Sequence, residues 1–249
     1  MKTRVWSLEF SFSRRLPEEW EAERADFRKL SGTEGYCSPE AAGVIREKIR
    51  EMGCWRIHFL DTGNYHYLTK FFLEQIREPF CLAVFDRHTD MQPSALLPLL
   101  SCGNWLLETL RENRYLERVL LAGPPGEDLR QAEAQFRGRV LAVSQEVLGT
   151  NAAEELLALP ERCPVYFSID TDVLSREDAR TNWDQGELRL DSLCRLLGRL
   201  GEGRVVLGAD ICGGAGPDGQ PGELWEAEQI NSRTDSRLLK CIDSLIQRR

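Results

Sequence analysis

The sequence predicts one α/β/α domain spanning residues 1–249, built on a parallel sheet covered on both faces. Two observations predict it. Short apolar runs alternate with helical stretches along the chain, the order that gives parallel strands joined by crossover helices. Three of those runs, CLAVF, VYFSI and RVVLGA, are almost wholly apolar, as central strands buried on both sides are. The chain's 249 residues, 42% apolar and 29% charged, are enough for a large core that needs no disulfide staples.

The elements follow in order. Trp6, Leu8, Phe10 and Phe12 alternate with Ser7, Glu9 and Ser11, which predicts a strand over 5–12 with one wetter face, near a sheet edge. Residues 17–31, PEEWEAERADFRKLS, are charged and predict a helix. Ser38-Pro39-Glu40 starts the next helix, with Ser38 as N-cap and Pro39 at the first position, and Gly53 ends it. Strands are then predicted at 55–60, 80–85, 118–122, 140–143, 165–169 and 204–208. Helices are predicted at 67–77, 105–114, 127–136, 151–159, 190–200 and 227–247. The Gly/Pro stretch GGAGPDGQPGE, 213–223, is a loop within the domain, and there is no internal repeat.

Composition narrows the function classes. The net charge of −8 argues against nucleic acid, because phosphate binding wants a basic face. No run of about 18 apolar residues exists to span a membrane. The start, MKTRVWSLEFSFS, lacks the apolar core of a signal peptide, since Glu9, Ser11 and Ser13 interrupt it. Eight cysteines are scattered singly with no CxxC pair, which predicts reduced thiols and a cytoplasmic protein.

Ligands of open parallel sheets bind beyond the carboxyl ends of the strands. Here those ends are acidic. CLAVF is followed by Asp86-Arg87-His88-Thr89-Asp90, VYFSI by Asp170-Thr171-Asp172, HFL by Asp61-Thr62-Gly63-Asn64-Tyr65-His66, and VVLGA by Asp210. Gathered together, such carboxylates repel, and their burial costs several kcal/mol each unless cations neutralise them. On an extended segment, side chains at i, i+2 and i+4 share a side, so Asp86, His88 and Asp90 converge, as do Asp170 and Asp172. With His66 the set offers four carboxylates and two imidazoles, which suits two divalent ions. No thiolate joins it, which argues against a structural zinc site. Cys102 and Cys212 lie inside the neighbouring motifs. The third histidine, His58, alternates inside an apolar strand and is a packed or hydrogen-bonded core residue.

These motifs resemble the ureohydrolase superfamily of arginases, agmatinases and formiminoglutamases. The matching pieces are GNYH (63–66), DRHTD (86–90), SIDTD (168–172) and GADI (208–211), in order, from about residue 55 onward. The resemblance implies an arginase-like three-layer sandwich with a mostly parallel, eight-stranded sheet. It implies two Mn2+ per chain, one held by His66, Asp86, Asp90 and Asp170, the other by Asp86, His88, Asp170 and Asp172. Such ions hold a shared water as hydroxide, which attacks a trigonal carbon such as a guanidinium. Asp90 is the residue expected to pass a proton to the leaving amine. Asn104, Gln92 and Asp210 match places that hold substrate or orient ligands. The expected partner is a small guanidino or amidino molecule, bound by a monomer or a homo-oligomer.

Two positions depart from the superfamily pattern. Leu106 stands where arginases carry a proton-shuttling histidine, and Gly213 where a glutamate pairs with the guanidinium. Glu223, Glu226 or Asp184 are the acidic residues available to replace that glutamate. Trp105, Trp183 and Trp225 fall near the same edge, as packing residues or as a wall for a bulkier or cationic substrate. Two other functions compete, the first using less of the ligand set and the second keeping the metal core while losing the substrate groups at Leu106 and Gly213. One is a deacetylase-like amide hydrolase with a single zinc; the other is a non-catalytic metal-binding relative.

Overall fold

A computed structural model describes residues 4–11, 15–17, 19–94, 99–150, 153 and 159–247. Its centre is an eight-stranded sheet, all parallel: β1 (Val5–Glu9), β2 (Ala22–Asp26), β4 (Ile57–Phe59), β5 (Phe80–Phe85), β7 (Leu116–Ala122), β8 (Val140–Val143), β9 (Val165–Asp170) and β10 (Val206–Cys212). They lie in the order β2-β1-β4-β10-β9-β5-β7-β8. A two-stranded antiparallel ribbon pairs β3 (Tyr36–Cys37) with β6 (Leu100–Ser101).

Successive residues of each strand face opposite layers. In β5, Phe80, Leu82 and Val84 join one core, while Cys81, Ala83 and Phe85 join the other. The first core is closed by α1 (Pro39–Met52), α2 (Leu68–Leu73), α3 (Trp105–Glu112) and α4 (Gly126–Gln135). The second is closed by α5 (Gln145–Leu148), α6 (Leu190–Gly201) and α7 (Pro221–Ile246). The result is a three-layer α/β/α sandwich with a parallel, eight-stranded sheet. Helix α1 begins as its sequence dictates: the Ser38 hydroxyl accepts from the Ala41 amide at 3.2 Å, and Gly53 leaves the helix at φ 75°. Among the described residues, no helix is long and apolar enough to cross a membrane.

The N-terminal region corrects the sequence reading twice. Among its described residues the 17–31 segment forms no helix; it supplies the edge strand β2, in register from Val5↔Ala22 to Glu9↔Asp26. Helix propensity loses here to tertiary pairing, because without β2 the buried strand β1 would keep an open edge. Arg24 of β2 also answers the buried Glu9 carboxylate. β1 therefore has no wetter face: all five residues are buried, one strand in from the edge. Phe12 lies outside the described residues, as does nearly all of the helix expected at 151–159. The last strand is also later than its composition suggested, at Val206–Cys212, so Ala209, Asp210 and Ile211 lie inside the sheet.

Candidate metal centre

Neighbouring strands deliver the acidic residues together. β5 pairs with β9, with Phe85 opposite Ile169, so Asp86 and Asp170 leave the sheet side by side at its carboxyl edge. Asp170 then opens a short 3-10 turn (Thr171–Val173), its Oδ1 accepting from the Asp172 amide at 2.9 Å. Asp86 folds back in the same way onto the His88 amide at 2.7 Å. Another 3-10 turn (Gly63–Tyr65), after β4, ends at His66 and points its ring at the same spot.

Asp86 faces both histidines. Its Oδ2 is 3.1 Å from His66 Nδ1 and its Oδ1 is 3.5 Å from His88 Nδ1. His66 Nδ1 also approaches Asp90 at 3.2 Å and Asp170 at 3.7 Å. His88 Nδ1 lies 2.9 Å from Asp172. Two compact groups result, His66–Asp86–Asp90 and Asp86–His88–Asp172, and they share Asp86. A third, His66–Asp170–Cys212, overlaps the first. Each imidazole is held from behind. Ser168 Oγ sits 2.8 Å from His66 Nε2, and the Asp184 carboxylate accepts from His88 Nε2 at 2.8 Å. Such partners fix which nitrogen faces the centre. The sequence motifs assign neither Ser168 nor Asp184 this role. Ser168 was legible as the first residue of SIDTD, whereas Asp184 gives no local signal.

The electrostatics describe a site short of positive charge. Burial, then the neighbouring Asp86, push Asp90 up to about 7. Asp170 is raised by burial and then by Asp86, and Asp172 is raised well above the usual range by burial and by Asp170. Burial opposes the charge on His66 and His88, but Asp86 with Asp90, and Asp172 with Asp86, outweigh it. His88 is pushed up to about 12 and His66 is likewise raised. Against burial, the two histidines hold Asp86 well below the usual carboxylate range. Protons thus neutralise what hard cations could neutralise, and the donor set of carboxylate oxygens and imidazole nitrogens fits divalent ions.

The remaining named residues divide. Asp90 adopts φ 49°, and Trp105 Nε1 donates to its Oδ2 from the buried start of α3. Gln92 lines a cleft of about 340 Å³ over the centre, together with Gly63, Met91, Cys102 and Trp183. The cleft's far wall carries Glu127, Asp128 and Gln131 of α4. Asn104 does not reach the cleft, because its side chain closes a turn, accepting from the Ser101 amide and donating to the Leu99 carbonyl, both at 2.8 Å. Asp210 does not reach it either. It lies in the core between strands, with Oδ1 2.8 Å from His58 Nδ1 and accepting from Tyr166 Oη at 2.7 Å. His58 is accordingly a hydrogen-bonded core residue. Leu106 is fully buried. At Gly213, φ is 100°, and a Cβ would lie 2.3 Å from Thr171 Oγ1 and 2.8 Å from Asp170 Oδ1, so no side chain fits there. Trp225 is 65% exposed on α7 and is absent from the cleft lining.

No family model matches the chain. An uncharacterized protein of Thermotoga maritima is 32% identical over 196 residues, covering 76% of this chain and 72% of that protein. Among solved structures, the arginase of Medicago truncatula superposes with a TM-score of 0.70 at 14% identity, over 98% of this chain and 86% of its own. The formiminoglutamase of Trypanosoma cruzi, solved with Mn2+, gives 0.69 at 12% identity, over 97% and 93%.

Proposed function

Because the chain belongs to one family with the Thermotoga maritima protein and is by fold a divergent member of the ureohydrolase superfamily, we propose that it is a binuclear manganese hydrolase. Its substrate is a small guanidino or amidino compound, cleaved at a C–N bond. The observation that carries this reading is Asp86, whose two oxygens face His66 and His88 and link two ligand groups into one centre. His66, Asp86, Asp90 and Asp170 would hold one ion, and Asp86, His88, Asp170 and Asp172 the other. When bound, the ions supply Lewis acidity and a nucleophile at neutral pH.

The chain's own residues do the rest. Ser168 and Asp184 hold the two imidazoles with Nδ1 toward the centre. Asp90, to which Trp105 donates, would carry a proton to the leaving amine. Trp183, 41% exposed and edge-on to His88 at 5.4 Å, walls the cleft and narrows water's access to it. Glu127 and Asp128 at the far wall suit a cationic or hydrogen-bonding tail. The proposal takes the chain as one cytoplasmic domain acting on a small molecule, alone or as a homo-oligomer. The proposal includes no nucleic-acid partner, in keeping with the net charge of −8, and no membrane partner.

Free L-arginine is expected to be a poor substrate. Gly213 removes an anionic partner for a guanidinium, and losing such a charge-assisted hydrogen bond costs about 1.5–3 kcal/mol, roughly ten- to hundredfold. Leu106 removes a proton carrier worth ~100-fold or more. The test is metal content after manganese loading, followed by product release from L-arginine, agmatine and formiminoglutamate. Close to two ions per chain, with turnover of a panel member other than arginine, supports the reading. One zinc per chain with amide hydrolysis would replace it by the deacetylase-like alternative.

A further inference from the structure

Away from the metal centre, two thiols lie in unusual proximity. Cys81 starts the inner part of β5, and Cys163 stands just before β9, the neighbouring strand. Their sulfurs are 2.9 Å apart, with Cys81 fully buried and Cys163 8% exposed. A disulfide has an S–S length of about 2.05 Å, so bonding them requires a shift of roughly 0.9 Å. The backbone already holds the two residues in place, since the Cys81 amide donates to the Pro164 carbonyl at 2.8 Å. Other buried thiols point elsewhere: Cys37 toward the Ser38 carbonyl and Cys212 toward the Thr62 carbonyl.

We propose that Cys81 and Cys163 are a modification site at which a small-molecule disulfide oxidises the chain to an internal β5–β9 cross-link. Cys163, the only one of the two with any exposure, reacts first. Its thiolate attacks one sulfur of the small disulfide, whose S–S bond breaks, giving a mixed disulfide and releasing one thiolate. The Cys81 thiolate then attacks Cys163 Sγ and expels the second. Two protein thiols lose two electrons to the small disulfide, which leaves as two thiols carrying the two protons. Burial limits access to Cys163, so the exchange is slow.

The cross-link closes a segment 82 residues long, which includes the DRHTD turn and the α4 wall of the cleft. Restricting the unfolded chain over that length stabilises the folded state. Because the thiols sit at the amino ends of strands whose carboxyl ends carry Asp86 and Asp170, the staple acts on stability and leaves the metal centre's geometry as it is.

The experiment treats the folded protein with excess glutathione disulfide, blocks free thiols and maps the peptides. The expected result is a Cys81–Cys163 linked peptide lighter by two hydrogens. The melting temperature should rise by roughly 5–10 °C and return with dithiothreitol. A second thiol pair, Cys194 and Cys241 on α6 and α7, is the internal comparison, with Cys241 Sγ 3.6 Å from the Cys194 carbonyl. In C194S/C241S the shift should persist, and in C163S it should vanish. If C163S fails to fold, C81A serves in its place. Linkage confined to Cys194–Cys241, or a glutathione adduct on Cys163 that goes no further, overturns the proposal.

Discussion

The Asp184 carboxylate accepts from His88 Nε2 at 2.8 Å, on the opposite side of the ring from the nitrogen that faces Asp86 and Asp172. Asp184 comes from a loop nearly a hundred residues further along the chain and stays 68% exposed. Its effect on the centre is directional: it holds His88 in the tautomer whose lone pair points inward. Asp184→Asn should therefore weaken binding of one Mn2+ about 10- to 100-fold and leave the other nearly unchanged. Calorimetric titration with Mn2+ separates the two sites. Equal weakening at both would mean that Asp184 acts through the general field and not through His88.

Asp86 touches both ligand groups and His66 only one side of the centre. Asp86→Asn should therefore abolish most of the rise in melting temperature that Mn2+ produces, while His66→Gln keeps part of it. A thermal melt with and without Mn2+ reads both. If Asp86→Asn keeps the full shift, Asp86 does not bridge.

Metal uptake should depend on pH, with a definite sign. In the free protein His66 and His88 are raised, and Asp90 is pushed up to about 7, so each holds a proton that an ion must displace. Affinity for Mn2+ should rise with pH through the window around 7, and binding should release protons. Titrations in two buffers of different ionisation heat measure that release. A heat independent of buffer would show that the ions displace no protons.

Gly213→Ala should destabilise the fold by about 2–4 kcal/mol, because its Cβ would meet Thr171 and Asp170 in a backbone conformation that L residues rarely adopt. The melting temperature should fall by several degrees at least. A glutamate there should fold no better and should not restore arginine turnover. A stable Gly213→Glu protein that hydrolyses arginine would contradict this account of the substituted position.

How much of this was legible in the chain follows from what each signal reports. DRHTD and SIDTD announced themselves because five and three polar residues directly after an apolar run have few structural explanations. Their neighbours in space did not. Asp184 lies in a loop whose path depends on the whole domain. Asn104 and Asp210 had the right chemistry in the right neighbourhood, but turn geometry and strand register turned them away from the cleft. For Asp210 the apolar run suggests a strand ending at residue 208, whereas β10 runs to Cys212 and carries Asp210 into the core. The 17–31 segment failed for another reason: its helix-favouring charges are local, whereas the open edge of β1 that it covers is not.

That edge strand bears on the behaviour of the protein in concentrated solution. A terminal strand offers its unpaired amides and carbonyls to any other chain, and flat apolar edges recruit further strands into aggregates. β2 is AERAD, with Glu23, Arg24 and Asp26 exposed and Ala25 turned inward. A second copy approaching edge-on would have to desolvate three ionised side chains and disturb their pairs with Arg4, Glu9 and Arg28. The same residues that made the segment look like a helix in sequence guard the sheet against growing beyond its eighth strand.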